Sequence, residues 1–345
     1  MSGVVHYDRS ETESHAESCE PRLFPLSKLI KDHPDQSPPI IGGLLRIGET
    51  MNVIAAPKIG KSWLVHGLAR SVALGIPWLG FEVRQGRVLI VDAELHQSEL
   101  ACRLRSVVSE GGDGEDIAVD ILSLRGQMMD IYGLASLFME IEAGQYSLVV
   151  LDALYRFLPR GCSENDNASM MSLYNAIDKI AHRLGAAVVV VHHSSKGSQS
   201  DKAITDVGSG AGSIARATDT HVAIRPHEQD GLAVLQAVCR SFQQPEPMTI
   251  KWTYPSWERV DVKPQLATRK TNSDERQRRM DTQADDAIRS AFSGRPLSIA
   301  QLRRQTGFGQ ARVERALARL NATGKRARNK RTGKTTERFT LPDSS

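Results

Sequence analysis

The chain has few cysteines, no long apolar run and, in its most informative motif, no glycine where the pattern asks for one. Its four cysteines, Cys19, Cys102, Cys162 and Cys239, stand far apart and form no C-x-x-C pair. They suggest no disulfide framework, and a reduced, cytoplasmic protein is expected. No run approaches the roughly 18 apolar residues of a membrane-crossing helix, so no membrane partner is expected. The opening "MSGVVHYDRSETESHAESCE" is polar and lacks the apolar centre of a secretion signal. The absent glycine concerns "NVIAAPKIGKSWLVHGLA", Asn52 to Ala69, which contains Gly60-Lys61-Ser62. A full G-x-x-x-x-G-K-[ST] pattern would place Gly where Ala55 stands.

The 345 residues, 40% of them hydrophobic, suffice for one sizeable core and a small second domain. The net charge of +4 is unevenly spread. From Lys263 onward there are 20 Lys and Arg against 8 Asp and Glu, whereas the rest has 24 against 32. A mildly acidic body thus carries a basic tail, which points to an anionic partner, nucleic acid first. A tail kept basic for solvation alone is the plainer alternative.

Residues 1–20 read as disordered, being polar and charge-rich. Residues 21–48 read as a lead-in, a short helix and an extended piece packed on the core. From 49 to 262 strand-like and helix-like segments alternate. "MNVIAA", "GRVLIVDAE", "IAVDILSL", "YSLVVLDA" and "AAVVVVHH" are strand candidates. "KSWLVHGLARSVALG", "SELACRLRSVVSE", "DIYGLASLFMEIEAG" and "NASMMSLYNAIDKIAHRLG" are helical between them, the third running to Gly144. Such alternation implies an α/β fold with a mostly parallel sheet covered on both faces. "THVAIRP", "LAVLQAVC" and "PMTIKW" have no helices between them and read as antiparallel additions to one edge. Residues 263–281 lack apolar periodicity and read as a linker. Residues 282–345 give three short helices, one capped by Ser298, and a basic hairpin turning at Thr332-Gly333. That is a winged helix-turn-helix pattern.

Phosphate binding needs backbone N–H groups at a helix N-terminus, a cation and a magnesium ligand. Here a strand runs into the loop Ala56, Pro57, Lys58, Ile59 and Gly60, and a helix starts with Lys61, Ser62 and Trp63. Lys61 is assigned to the β- and γ-phosphates of ATP and Ser62 to Mg²⁺. At Ala55 a negative φ would make alanine nearly free of penalty. Asp152 closes a strongly apolar strand, where a carboxylate orients the magnesium water shell. Glu94 is the favoured group for positioning the attacking water, with Asp92 in support. The alternative for one of these two is a helix cap. Of His192 and His193, which point to opposite faces of a strand, one can face the γ-phosphate while the other packs.

Together "AAPKIGKS", "VLIVDAELH", "LVVLDALYRF", "VVVVHHSSKG", "GSGAGSIARATDT" and "CRSFQQPEP" resemble RecA-type ATPases, in particular plasmid RepA-type hexameric replicative helicases. The resemblance covers about two thirds of the chain, from Phe24 to about Val260. It implies a RecA-like P-loop core that hydrolyses ATP at subunit interfaces, in a homo-oligomer that is often a ring acting on DNA. It implies that Glu94 polarises water and that His193 senses the γ-phosphate. It places the loop Ser194 to Gly212, with Lys196 and Lys202, against single-stranded DNA. Relatives often carry an arginine that reaches a neighbour's phosphate where this chain has Ser209. Arg216 and Arg240 are the substitutes, a surface salt bridge being the alternative for each.

In the tail, Arg312, Arg315 and Arg319 share one helix face opposite Val313, Ala316, Leu317 and Leu320. With Lys325, Arg326 and Arg328 of the hairpin they are the candidates for duplex DNA phosphates. A protein-binding module is the alternative. The expectation is a DNA-linked ATPase, as helicase or helicase-like replication factor. The rivals are a nucleotide-switched DNA-binding regulator or recombination accessory protein, and an adaptor without turnover.

Overall fold

The computed structural model describes residues 23–342 except 58, 110–116, 128, 165, 194–202, 208–210, 268, 293–294 and 329–334. The chain divides into two compact units between Ala267 and Thr268. The first opens with α1 (Leu26–Asp32) and a small antiparallel pair, β1 (Pro39–Ile41) with β2 (Leu45–Arg46). A nine-stranded sheet follows. Six strands are parallel: β3 (Thr50–Ala55), β4 (Val88–Asp92), β5 (Val119–Ser123), β6 (Leu148–Asp152), β7 (Ala187–His193) and β8 (Thr220–Pro226). Across the sheet they stand in the order β5-β4-β6-β7-β3-β8. Antiparallel β9 (Leu232–Cys239), β10 (Met248–Thr253) and β11 (Ser256–Val260) extend it beyond β8.

The parallel strands are joined in turn by α2 (Lys61–Leu74), α3 (Gln97–Ser109), α4 (Ile131–Phe138), α5 (Asn167–Leu184) and α6 (Ala211–Ala217). Every residue of β3, β4 and β6 is buried, which is why they read as unbroken apolar runs. Alternate side chains feed two cores. Val53, Ile90 and Val150 pack with Leu64, Leu68 and Val72 of α2. Ile54, Val91 and Leu151 pack on the other face with Leu134 of α4 and Leu173 and Ile177 of α5. Asp166 caps α5 by accepting from Ser169 N at 2.9 Å, and left-handed Gly185 ends it.

Three expectations change here. "THVAIRP" is parallel to β3 rather than antiparallel, because the short α6 supplies the crossover before it. α4 stops at Phe138 rather than near Gly144, once the chain no longer has an apolar face to bury. The lead-in packs through Ile40, Ile41, Leu44 and Leu45, while α1 buries no residue at all. Residues 1–20 lie outside the described residues.

The second unit contains α7 (Arg269–Phe292), α8 (Ile299–Thr306), α9 (Gln310–Arg319) and the antiparallel pair β12 (Thr323–Arg328) with β13 (Thr335–Thr340). Its core joins Ala284, Ile288 and Phe292 of α7 to Leu302, Val313 and Leu317. Ser298 and Gln301 form a reciprocal capping box at the start of α8. The segment read as a linker is helical from Arg269. Ala284, Ile288 and Phe292 anchor α7 at i, i+4 and i+8, and its first half extends that helix with polar helix-forming residues. The turn at Thr332-Gly333 lies outside the described residues. Among those described, no helix is long and apolar enough to cross a membrane.

Candidate nucleotide site

The carboxyl ends of β3, β4, β6 and β7 lie side by side, and the chemistry-bearing side chains gather there. Ala55, the last residue of β3, is paired in register with His193 and Ile224 and has no positive φ. Gly60 does need to be glycine. It caps α2 with φ +96°, and a Cβ on it would sit 3.2 Å from Trp257 Nε1. Trp257 donates to Gly60 O at 3.2 Å. Of the rest of the loop, Ala56 and Ile59 are half-buried, Pro57 is exposed and Lys58 lies outside the described residues.

Lys61 is buried and folds back onto the end of β3. Its Nζ donates to Ala55 O at 2.9 Å, to Ala56 O at 3.0 Å and to His193 Nδ1 at 3.0 Å. Burial lowers its pKa to about 8 against the pull of Asp152 and Glu94. An ammonium only donates, so His193 Nδ1 carries the lone pair and the ring proton sits on Nε2. Nε2 faces Glu94 Oε1 at 3.5 Å. Glu94 also bonds Tyr155, and its carboxyl is held below the usual range, chiefly by the His193 hydrogen bond. A continuous chain therefore runs from Lys61 through His193 to Glu94. His192 points the other way, is buried, and meets His193 O through Nδ1 at 2.6 Å.

Asp152 is 2% exposed and hydrogen-bonded to Ser62. Its Oδ2 has no partner among the described residues, and burial raises its pKa to about 7. A hydroxyl beside a buried carboxylate with a spare oxygen is a donor set that fits a magnesium ion and its waters. Asp92 does not face the cleft with Glu94. It turns back, and its Oδ1 accepts from Glu94 N at 3.0 Å and Leu95 N at 2.7 Å.

Two of the expected catalytic residues are elsewhere. Arg240 Nη1 donates to Asp219 Oδ1 at 3.0 Å, and its Nη2 donates to Arg216 O at 2.7 Å. Asp219 Oδ2 in turn accepts from Thr50 N at 2.9 Å, at the opposite end of β3. Five strand steps, about 17 Å, separate that end from Ala55. Arg216 and Arg240 therefore take no part in this chain's own site. Lys196, Lys202 and Ser209 lie outside the described residues.

In the second unit Arg319 is not a free cation of α9. It pairs with Asp281 at 3.2 Å and Asp285 at 2.8 Å on α7. Arg315, Lys325 and Arg326 are exposed, and the Arg312 guanidinium lies over the Phe308 ring, 5.5 Å from its centroid. The side chain of Arg328 lies outside the described residues.

The sequence reading missed two groups of residues. One is an aromatic cluster brought to the loop by the β10–β11 hairpin. Trp63 lies 5.6 Å from Trp252 and 5.5 Å from Tyr254, and Trp252 lies 5.5 Å from Trp257. The other is His66, buried at i+4 from Ser62, a spacing that puts it on the face turned toward Asp152.

Comparison with known proteins agrees with this geometry. The chain is similar to an ATPase domain solved by itself, with TM-score 0.54 and 11% identity over 68% of this chain and 96% of that one. It is similar to a DnaB-like replicative helicase, described with its interactions with primase, with TM-score 0.51 and 12% identity over 68% and 67%. At these identities the likeness is one of fold, that of the RecA-like P-loop ATPase core. No match was found among curated proteins. Residues 16–199, more than half of the chain, match the model of the AAA domain, and the chain belongs to that family.

Proposed function

We propose that the protein is a Mg²⁺-dependent ATPase acting on DNA, a helicase or helicase-like replication factor of the RepA type. The observation that carries this reading is the convergence of Lys61, Ser62, Glu94, Asp152 and His193 at the ends of four neighbouring strands. Backbone N–H groups at the start of α2 and the Lys61 ammonium bind the phosphates, Lys61 leaving Ala55 O, Ala56 O and His193 to do so. Ser62 and Asp152 hold Mg²⁺, which when bound neutralises charge on the phosphates. Glu94, kept ionised by its hydrogen bonds, orients a water and takes its proton. His193 shares partners with both Lys61 and Glu94, so the arrival of phosphate at Lys61 reaches the base through one ring.

DNA as partner draws on the exposed Arg315, Lys325 and Arg326 of the second unit, read as a winged helix, and on Lys196 and Lys202 of the loop after β7. A homo-oligomer draws on α1, whose Leu26, Leu29 and Ile30 are exposed with Leu23 and Phe24 before it. A second reading, a nucleotide-switched DNA-binding regulator, draws on the distance of Arg216 and Arg240 from the site.

The test is the ATPase rate with and without single-stranded DNA for wild type, Lys61→Ala and Glu94→Gln. Both variants should lose at least about 100-fold, the scale for removing a group aimed at the transition state. DNA should stimulate the wild type. Variants that turn over like wild type would refute the site, and turnover without strand separation would favour the regulator.

A further inference from the structure

Behind the phosphate loop three buried groups face one another. Asp92 and Asp152 are register partners on adjacent strands β4 and β6. His66 comes down on them from α2. Their exposures are 1% for His66, 0% for Asp92 and 2% for Asp152. One ligand atom from each lies within 4.8 Å of the other two. Both ring nitrogens of His66, Oδ2 of Asp92 and Oδ2 of Asp152 have no hydrogen-bond partner among the described residues.

Two carboxylates withdrawn this far from water need a compensating charge. Lys61, the cation that acts on Asp152, already spends its three N–H groups on Ala55 O, Ala56 O and His193. Arg103 on α3 attracts Asp92 only weakly and gives its own hydrogen bond to Glu99, at 2.8 Å. Protonation of Asp152 alone would leave the His66 ring and Asp92 Oδ2 unmatched. We propose that His66, Asp92 and Asp152 bind a first-row transition-metal dication, at a site distinct from that of the nucleotide's magnesium.

The donor chemistry selects the class. An imidazole nitrogen with two carboxylate oxygens suits Zn²⁺ or its neighbours, whereas Mg²⁺ prefers oxygen alone. Burial keeps the His66 ring unprotonated, its pKa lowered to about 4, so a nitrogen lone pair is available. Asp92 is already oriented, because its other oxygen holds two backbone N–H groups. Bonds of about 2.0–2.2 Å require the donors to close by no more than about an ångström and a half. The site shares Asp152 with the proposed nucleotide site but does not rest on that reading.

The test uses the full chain, stripped of metal and without nucleotide. Zn²⁺ is titrated calorimetrically into wild type, His66→Leu, His66→Gln and Lys61→Ala, with thermal melts to confirm folding. Wild type should bind one tight equivalent. Both His66 variants should bind it at least about 10- to 100-fold more weakly. Lys61→Ala should keep the Zn²⁺ equivalent while losing nucleotide binding, so the two sites fail independently. X-ray absorption of the Zn²⁺-loaded wild type, which needs no variant, should show an imidazole ligand. Absence of a tight equivalent, binding that survives loss of His66, or an all-oxygen shell would overturn the proposal.

Discussion

Ala55 ends a strand in extended, doubly paired backbone, and nothing at that position calls for glycine. The demand falls on Gly60, where a left-handed φ and the Trp257 ring both exclude a Cβ. The next residue, Lys61, carries a titration prediction. Its pKa in the free protein is about 8, below the ordinary 10.5 because of burial. Phosphate favours the charged form, so between these two values nucleotide binding must take up a proton. Calorimetry in buffers of differing ionisation heat should show little uptake at about pH 7 and close to one proton at about pH 9. Equal uptake at both would remove Lys61 from the phosphates. Lys61, Ser62, Glu94, Asp152 and His193 were legible in the sequence because apolar strands with polar ends advertise where the sheet opens. His66 was not, since one histidine on an apolar helix face looks like core until its neighbours across the fold are known. Asp92 was misjudged because the strand ends at that residue, and beyond it an i, i+2 rule no longer applies.

The β10–β11 hairpin lies at the far edge of the sheet, its outer strand four places from β3, yet Trp257 touches Gly60. Sheet twist carries that edge over the start of α2. No local pattern announces such a contact, which explains why the aromatic cluster was missed while the parallel strands were found. The same limit holds in the second unit. The two-sided pattern of α9 was readable, but α7 reaches back far enough to claim Arg319 through Asp281 and Asp285. Arg319→Ala should therefore lower the stability of this unit by roughly 1 kcal/mol and change DNA affinity little. Arg315→Ala should leave stability alone, weaken duplex binding and reduce the salt slope by about one. Melting curves and salt-dependent titrations separate the two. Equal DNA defects would mean that the α7 ion pairs do not hold Arg319 away from phosphate.

At the scale of the whole molecule, α1 is the element with least reason to stand alone. All its residues are exposed, five large apolar side chains lie on or just before it, and its seven residues are too few to hold a helix together unaided. Leu26→Asp with Ile30→Asp should shift sedimentation toward the monomer and lower ATPase activity, with Lys61 and Glu94 untouched. An unchanged assembly would show that α1 is not the contact.

The placement of Asp219, Arg216 and Arg240 bears on what kind of assembly can form. They mark one end of the parallel strands, and Lys61 marks the other. A two-fold pair would bring like ends together and leave both phosphate loops facing their own kind. An arginine can meet a neighbour's phosphate only if each subunit presents its back to the next one's front. Such an interface is heterologous, and its repetition either closes into a ring or runs on as a filament.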